Sequence, residues 1–348
     1  MLDRVIIADD LTGALDAAAP FAARGIATMV AMDVSTLHEA IAAGGRIVGV
    51  STDSRELSPD TAREAVQQAL AELPKGVAVF KKIDSRLKGN IAAELDAFVY
   101  NRSLVVPAIP SFGRWVRNGF LDGFGVSSPV DVAERLGVHR AKAMIPDVVD
   151  QSDLERLLLA DCDLFIGARG LAEAMAVQMA PNAASPDISL PQSRALCVIG
   201  STDPITLGQL HNLRKLDPDL VYIEAPNGIA PSWLPAPGRL TVIHAVPGAI
   251  AAEGTMVAES LGRSLSRLAP EPGSLLVLSG GATAQVILRQ LGIRILELVG
   301  EAQAGLPLAR AGDYTVITKS GGFGDPQTLC RLTETYRRPG SVAQHHDG

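Results

Sequence analysis

Along most of the chain, short apolar segments of strand length alternate with segments that have the composition of helices. The first apolar segment covers residues 5–8, and the first helical segment covers residues 14–23. A longer helix is predicted over residues 59–73, because Ser58 can cap its first turn and Pro59 suits its first position. This alternation is typical of α/β proteins, in which helices connect the strands of a mostly parallel sheet. In such sheets, ligands bind at the carboxyl ends of the strands.

The same pattern continues along the chain and falls into two parts. Further strands are expected at residues 27–31, 47–51, 77–81, 104–106, 164–167, 196–200, 221–223, 240–245, 274–279, 293–299 and 314–319. Further helices are expected at residues 36–43, 171–179, 205–215, 255–269 and 283–290. A Pro- and Gly-rich stretch over residues 225–239 indicates a passage between domains. We therefore predict one α/β domain over residues 1–239, a second over residues 240–338 and a disordered tail over residues 339–348.

Composition limits the classes of function. Of the 348 residues, 47% are hydrophobic and 20% are charged, which is enough to bury a core in two domains. The net charge of -7 argues against nucleic-acid binding, which requires a basic face. No apolar run approaches the roughly 18 residues that cross a membrane, and we expect no signal peptide, since a charged residue and a strand follow Met1 closely. The three scattered cysteines lack metal-ligand spacing, which favours reduced thiols in the cytoplasm and no protein-bound metal.

Three carboxylates gather where the first strand gives way to the first helix. Asp9 and Asp10 follow the strand directly, and Asp16 lies on the predicted helix, four residues after Thr12. One interpretation is helix capping, since a side-chain oxygen of Asp10 or Thr12 can accept from free backbone N–H groups. Capping needs only one of these residues. The other interpretation is that the acids bind a cation or a ligand rich in hydroxyl groups.

A basic segment follows the fourth predicted strand. Lys81, Lys82, Arg86 and Lys88 surround Asp84, and Gly89 then leads into a predicted helix. Such a run can be an ordinary solvated face, but cations beside a helix N-terminus also form an anion site. Arg55 takes the equivalent position after the third strand, where its planar guanidinium suits a carboxylate.

Several other loops follow predicted strands. The loop over residues 107–114 contains two prolines and ends in Arg114, which indicates a rigid turn. Glycine pairs follow strands within residues 277–284 and 317–325, where backbone N–H groups can approach a phosphate closely. Each pair can also be a simple turn, and the hydroxyl-rich break at residues 198–206 can be a helix cap. Neither a Walker A loop nor a G-x-G-x-x-G dinucleotide fingerprint is present.

Together these segments resemble the four-carbon acid sugar kinase family. The D-D-x-T-G-x-x-D segment of that family corresponds to Asp9, Asp10, Thr12, Gly13 and Asp16. The K-x-D-S-x-x-R/K-G-N segment corresponds to Lys82, Asp84, Ser85, Lys88, Gly89 and Asn90, and the P-A-x-P-x-x-G-R loop to residues 107–114. The C-terminal G-S, S-G-G-D/E-T and K-S-G-x-F-G segments correspond to residues 200–201, 279–283 and 319–324. The matches run in the same order over nearly the whole chain.

The resemblance implies an ATP-dependent kinase that phosphorylates a terminal hydroxyl of a four-carbon sugar acid, such as a threonate, an erythronate or an oxo-tetronate. The N-terminal domain would hold the sugar acid and the C-terminal domain the nucleotide. The cleft between the domains would host the chemistry. The expected partners are therefore a sugar acid and ATP, with Mg²⁺ bridging the ATP phosphates. A homodimer is compatible with the sequence.

The expected roles of the matched residues follow from their charges. Asp10, Lys82 and Asp84 are the predicted catalytic residues, and the identity of the base stays open among the carboxylates. Substrate contacts are predicted for Asp9, Asp16, Arg55, Ser85, Lys88, Asn90 and Arg114. Nucleotide contacts are predicted for Ser201, Gly280, Gly281, Ala282, Thr283, Ser320, Gly321 and Gly322.

The chain departs from the family pattern at several places. Ala282 stands where the family has an acidic residue, which motivates an alternative function: binding of a sugar acid or nucleotide without catalysis. The sequence after Arg114 lacks the family's threonine-rich stretch, and the chain looks short around residues 115–150 and 225–250. These regions are expected to line the sugar site, which leaves the identity of the acid open. A nicotinamide-dependent dehydrogenase is a third interpretation, and the missing fingerprint disfavours it.

Overall fold

The computed structural model describes residues 1–184 and 186–337, and the predicted tail over residues 339–348 lies outside them. The strands are β1 Arg4–Ala8, β2 Thr28–Ala31, β3 Ile47–Ser51, β4 Ala78–Lys82, β5 Ser103–Val106, β6 Arg114–Arg117, β7 Phe120–Gly123, β8 Val130–Asp131, β9 Ala143–Met144, β10 Leu164–Gly167, β11 Ala195–Ile199, β12 Val221–Pro226, β13 Leu240–Val246, β14 Leu275–Ser279, β15 Ile295–Gln303, β16 Leu306–Ala311 and β17 Tyr314–Lys319. The helices are α1 Leu11–Ala22, α2 Leu37–Ala42, α3 Pro59–Ala71, α4 Ile91–Leu95, α5 Val132–Leu136, α6 Gln151–Leu157, α7 Arg169–Met179, α8 Pro204–Leu216, α9 Gly254–Arg267, α10 Gly281–Gln290 and α11 Thr328–Leu332.

The chain folds into two compact units. The first contains Met1–Asp187 and Arg294–Glu301, and the second contains Ile188–Ile293 and continues from Ala302. The chain therefore passes from the first unit to the second between Asp187 and Ile188, which is earlier in the sequence than the boundary predicted near residue 240. Strand β13 begins at Leu240 and pairs in parallel with β11, starting from Ala195 opposite Leu240. Residue 240 thus lies within the sheet of the second unit, because the strands before and after it pair with each other.

In the first unit, the strands of the main sheet lie in the order β15-β2-β3-β1-β4-β10-β5-β9. Neighbouring strands are parallel except β15 and β2, which are antiparallel. Val5, Ile6 and Ile7 of β1 are completely buried, as expected for a central parallel strand whose two faces are both covered. One face packs Val5 and Ile7 with Val48, Val50 and residues of α2 and α3. The prediction of a mostly parallel α/β fold is confirmed.

The first unit also contains a small antiparallel sheet, β6-β7-β8, that was not predicted. Asn118 and Gly119 connect β6 to β7, with φ angles of 51° and 78°. Positive φ at both central residues is typical of the tight turn that joins hairpin strands, and Asn-Gly is its strongest sequence signal. The segment after Arg114, where the sequence departs from the family pattern, therefore forms a β-hairpin.

In the second unit, the strands lie in the order β12-β13-β11-β14-β17-β16. Neighbouring strands are parallel except β16 and β17, which are antiparallel. Within the two described ranges, no helix is both long and apolar enough to cross a membrane. The cleft expected between the two domains stays a prediction.

A buried ion pair connects strand β4 to helix α4. The Lys81 ammonium lies 2.9 Å from a Glu94 carboxylate oxygen, and their side chains are 0% and 1% exposed. Lys81 Nζ also donates to the Lys82 carbonyl at 3.2 Å, and the Ser54 hydroxyl donates to Glu94. The pair therefore ties β4, α4 and the segment after β3 together.

Glu94→Gln is expected to lower the free energy of unfolding of the first unit by about 3–5 kcal/mol, because it leaves the Lys81 ammonium buried without a counter-charge. The matched control is Glu64→Gln, since Glu64 lies exposed on α3. Urea unfolding of both variants measures the difference. Equal unfolding midpoints for the two variants would contradict a structural role for the pair.

Candidate functional site

Parallel pairing aligns the carboxyl ends of five strands in the first unit. Ala8 lies opposite both Ser51 and Lys82, and Gly167 lies opposite both Lys82 and Val106. The segments that follow β1, β3, β4, β5 and β10 consequently leave the sheet side by side. These segments carry the substrate-binding and catalytic residues predicted from the sequence, apart from Lys82, the last residue of β4, and Asp16 on α1. We call this region the acid edge.

Arg55 is the centre of an ionic cluster at the acid edge. Its guanidinium donates to both carboxylate oxygens of Asp9, from Nε at 2.8 Å and from Nη2 at 3.0 Å. Nη1 lies 2.7 Å from Asp10 Oδ2, and Nη2 lies 3.6 Å from Asp84 Oδ2. The sequence suggested that Arg55 binds the carboxylate of a ligand. In the structure, three carboxylates of the protein surround this guanidinium instead.

Asp10 and Asp9 are adjacent in sequence but differ in environment. Asp10 caps α1, because its Oδ1 accepts from the Gly13 N–H at 2.7 Å, and its Oδ2 accepts from the Thr12 hydroxyl at 2.7 Å. Burial raises the pKa of the Asp10 carboxyl, against the opposing charge of Arg55. Burial acts on Asp9 in the same direction, but the hydrogen bonds and charge of Arg55 hold the Asp9 pKa below its usual value. The capping interpretation is confirmed for Asp10, and ligand binding stays a prediction.

Lys82 and Asp84 extend the cluster along β4 and the loop that follows it. Lys82 is 3% exposed, and its Nζ donates to the Ile83 carbonyl at 2.8 Å. A Cβ at Gly13 would lie 3.2 Å from Lys82 Nζ and 2.6 Å from Asp10 Oδ1, so a larger residue here would displace the Asp10 carboxylate. Asp84 Oδ1 accepts from the N–H groups of Arg86 and Lys88 at 3.0 and 3.2 Å. The Lys88 side chain is exposed.

Three further predicted substrate residues connect loops of the acid edge. Arg114 Nη1 donates to the Ser85 hydroxyl at 2.7 Å, which joins the rigid loop after β5 to the loop after β4. The Asn90 amide donates to the carbonyls of Ser54 at 3.0 Å and Leu57 at 2.9 Å. Asn90 therefore holds the segment that carries Arg55, and its contact with a ligand stays a prediction.

Asp16 contacts a residue that no sequence motif indicated. Arg169, the first residue of α7, directs Nη1 to Asp16 Oδ1 at 3.3 Å. Arg169 is 3% exposed and follows β10 by two positions. The only sequence signal is its place between Gly167 and Gly170 after an apolar strand.

In the second unit, the predicted nucleotide loops also meet at one edge. Ile199 lies opposite Ser279, and Ser279 lies opposite Lys319, so the loops after β11, β14 and β17 are neighbours. Gly280 caps α10 with a φ of 107°, a left-handed conformation that favours glycine. A Cβ at Gly321 would lie 2.3 Å from Ser201 Oγ, so the first and third loops touch. The structure thus brings together the residues predicted to bind a nucleotide, from Ser201 to Gly322. We call this region the glycine edge.

Lys319 holds the third loop of the glycine edge in place. Its buried Nζ donates to Thr206 Oγ1 at 2.7 Å and to the carbonyls of Ser320 and Gly321 at 3.1 and 3.2 Å. The Thr206 hydroxyl in turn donates to the Gly321 carbonyl at 2.6 Å. Burial lowers the pKa of Lys319 to about 8, partly opposed by the charge of Asp203.

Comparison with known proteins identifies both units. A family model described as the sugar-binding N-terminal domain matches residues 4–130, and one described as the nucleotide-binding C-terminal domain matches residues 238–329. A D-threonate kinase of Bordetella bronchiseptica is 28% identical over 95% of this chain and 97% of its own length. A 3-oxo-tetronate kinase of Methylobacterium radiotolerans is 27% identical over 91% of this chain and 95% of its own. A solved structure from Salmonella typhimurium LT2 has a TM-score of 0.75 at 21% identity, covering 95% of this chain and 98% of that one.

The fold and the two edges define a class of α/β proteins in which a sugar-binding domain is joined to a nucleotide-binding domain. Within that class, the chain belongs to the four-carbon acid sugar kinase family. The membership predicted from the ordered motifs is therefore confirmed.

Arg55→Leu is expected to lower the free energy of unfolding of the first unit at neutral pH by about 3 kcal/mol or more, because Asp9 would stay buried without its partner. The control is Arg63→Leu, whose partner Asp60 is 81% exposed at 3.1 Å. Loss of such a surface pair costs about 1 kcal/mol or less. Denaturant unfolding of both variants gives the two values.

The Arg55 effect is also expected to depend on pH. The Asp9 pKa is lowered in the folded protein, so the ionised Asp9–Arg55 pair stabilises the fold. This contribution is complete above the ordinary carboxyl pKa of about 3.9. It is lost as the pH falls through the lowered value. The stability difference between wild type and Arg55→Leu should therefore shrink in acid. A difference that stays constant from neutral pH into strong acid would exclude this role.

Proposed function

We propose that the protein transfers the γ-phosphoryl group of ATP to a terminal hydroxyl of a four-carbon sugar acid, such as a threonate, an erythronate or an oxo-tetronate. The observation that carries the proposal is the cluster of Asp9, Asp10, Lys82 and Asp84 at the acid edge of the unit matched by a sugar-binding model. Relatives named D-threonate kinase and 3-oxo-tetronate kinase support it, since they align over more than nine-tenths of the chain.

Asp10 is the proposed base that accepts the proton of the attacking hydroxyl. A base is more effective when its pKa lies closer to neutral, and the pKa of Asp10 is raised while that of Asp9 is lowered. The Asp10 side chain is also 18% exposed, compared with 2% for Asp9. Asp9 binds Arg55 through both oxygens, which fits a positioning role better than proton transfer. Lys82 would neutralise charge on the transferring phosphoryl group, and Asp84 would hold Arg55 and the hydroxyl.

The carboxylate of the sugar acid would bind at the outer part of the acid edge. The Arg55 guanidinium already contacts three protein carboxylates, so we assign it the role of holding Asp9 and Asp10. Lys88, Arg114 and Ser85 remain to bind the substrate carboxylate. Burial lowers the pKa of Arg114, the charge of Arg86 acts in the same direction, and the charges of Asp84 and Asp16 oppose it.

The nucleotide would bind at the glycine edge. Backbone N–H groups of residues 281–283 and 320–322 would approach the phosphates, and Ser201 would close the site from the first loop. Ala282 supplies no carboxylate, so this position contributes only its backbone. We place Mg²⁺ with the ATP phosphates, where divalent cations act in phosphoryl transfer. Across residues 1–184 and 186–337, no cluster of three or more His, Cys, Asp or Glu side chains is arranged to bind a metal.

The test is a coupled assay of ADP release with ATP, Mg²⁺ and a panel of four-carbon sugar acids, including both enantiomers of threonate and erythronate and 3-oxo-tetronate. Mass spectrometry identifies the phosphorylated product. Turnover of one acid well above the ATPase background is the expected result. Acid binding without ADP release anywhere on the panel would instead support the alternative of a catalytically impaired binding protein, which Ala282 motivates.

Asp10→Asn is expected to lower kcat by about 10²–10⁴-fold, the usual contribution of a general base. Asn caps helices as well as Asp does, so α1 should keep its N-terminus, and Arg55 keeps its two hydrogen bonds to Asp9. The melting temperature and the ADP dissociation constant serve as controls. Asp60→Asn, which alters an exposed carboxylate on α3, should leave kcat unchanged. A kcat within twofold of wild type in Asp10→Asn would remove this residue from the mechanism.

ADP affinity is expected to fall as the pH rises through about 8, because Lys319 then loses a proton and one of the donors that fix the third loop. Lys319→Arg stays charged over this range and should show a weaker dependence on pH. Isothermal titration calorimetry between pH 7 and about 9.5 measures both proteins. Equal pH dependence in wild type and Lys319→Arg would show that another group is responsible.

A further inference from the structure

Arg169 lies at the acid edge, although no motif contains it. Strand β10 lies between β4 and β5, so the segment after it emerges between the loops that carry Asp84 and Arg114. Arg169 is the second residue of this segment, and its side chain is 4% exposed. A buried guanidinium requires counter-charges, and their positions show what Arg169 holds.

Three carboxylates from three different elements surround Arg169. Nε donates to Glu173 on α7 at 2.7 Å, and Nη1 and Nη2 donate to Glu301 on β15 at 2.6 and 3.0 Å. Nη1 also reaches Asp16 on α1, both at Oδ1 and at the backbone carbonyl, at 3.3 and 3.4 Å. The short contacts anchor the guanidinium on Glu173 and Glu301. The longer contacts place a donor against Asp16, whose side chain is 29% exposed.

Close packing fixes the backbone on both sides of Arg169. A Cβ at Gly167 would lie 2.4 Å from the Val106 carbonyl, and one at Gly170 would lie 2.5 Å from the Ala108 carbonyl. Neither neighbour can shift cheaply, because both are backbone atoms. The Arg169 guanidinium also lies 5.6 Å from the centre of the Phe112 ring. The position of Arg169 is therefore restricted, and its hydrogen bond to Asp16 restricts the Asp16 side chain in turn.

We propose that Arg169 is a positioning residue that fixes Asp16 for hydrogen bonding to the sugar acid. This inference rests on the proposed function and on the substrate contact that the sequence predicts for Asp16, which we take as accepting a hydrogen bond from a sugar hydroxyl. A planar guanidinium can contact three carboxylates at once, whereas a lysine ammonium on a flexible stem acts as a single point of charge. Charge alone does not hold Asp16 in place, so a lysine at this position would not substitute for arginine.

The experiment compares Arg169→Lys, Asp16→Asn and the double variant in the sugar-acid kinase assay. Arg169→Lys should raise KM for the acid about tenfold or more, as expected for the loss of hydrogen bonds between charged groups, with the ADP dissociation constant unchanged. If Arg169 acts through Asp16, the double variant should be no worse than Asp16→Asn. Arg156→Lys is the matched control, since Arg156 lies 70% exposed on α6 in the same unit.

Glu173→Gln provides a milder test if Arg169→Lys fails to fold. It removes one anchor of the guanidinium and should raise KM for the acid by a smaller factor. An unchanged KM in a folded Arg169→Lys or Glu173→Gln variant would overturn the assignment. So would effects of Arg169→Lys and Asp16→Asn that multiply in the double variant. A wild-type protein that turns over no acid on the panel would overturn the proposed function, and this assignment with it.

Discussion

Alignment of parallel strand ends is the constraint on which both edges depend. When parallel strands pair, their carboxyl ends point the same way, and the segments that follow them leave the sheet as neighbours. The register from Ala8 to Ser51 and Lys82 brings three distant segments together in the first unit. The register from Ile199 to Ser279 and Lys319 does the same in the second unit. The hydrogen bonds between paired strands thus determine which segments lie together at each edge.

Buried charge is the second organising feature of the first unit. Arg55, Arg169 and Lys81 are each buried or largely buried. Arg55 and Arg169 each contact three carboxylates of the protein, and Lys81 contacts one. A charge removed from water is costly unless it is paired, so each cluster fixes the elements that supply its members. Arginine lies at the centre of the two clusters with three carboxylates, because its planar guanidinium carries N–H donors that point in several directions. The acidic residues expected to contact a sugar acid are thereby held in place by cations before a substrate binds.

The sequence predicted some of these features and not others, for identifiable reasons. The sequence predicted a helix cap at Asp10 or Thr12, because capping acts over about three residues and is visible in a local pattern. The hairpin at Asn118 and Gly119 also has a local signal, the Asn-Gly pair, which lies in the segment where the sequence departs from the family pattern. Arg169 could not be found in this way, since its contacts with Asp16 and Glu301 join residues 153 and 132 positions apart.

By itself, the sequence determined the alternation of strands and helices, the capping of α1 and the ordered motifs that place the chain in its family. Each of these depends on contacts between near neighbours or on residue types at short spacing. Only the tertiary structure decided that Arg55 is surrounded by Asp9, Asp10 and Asp84 rather than left open to a ligand. It also decided which carboxylate has a raised pKa, because burial and the distances between charges depend on how the strands pair.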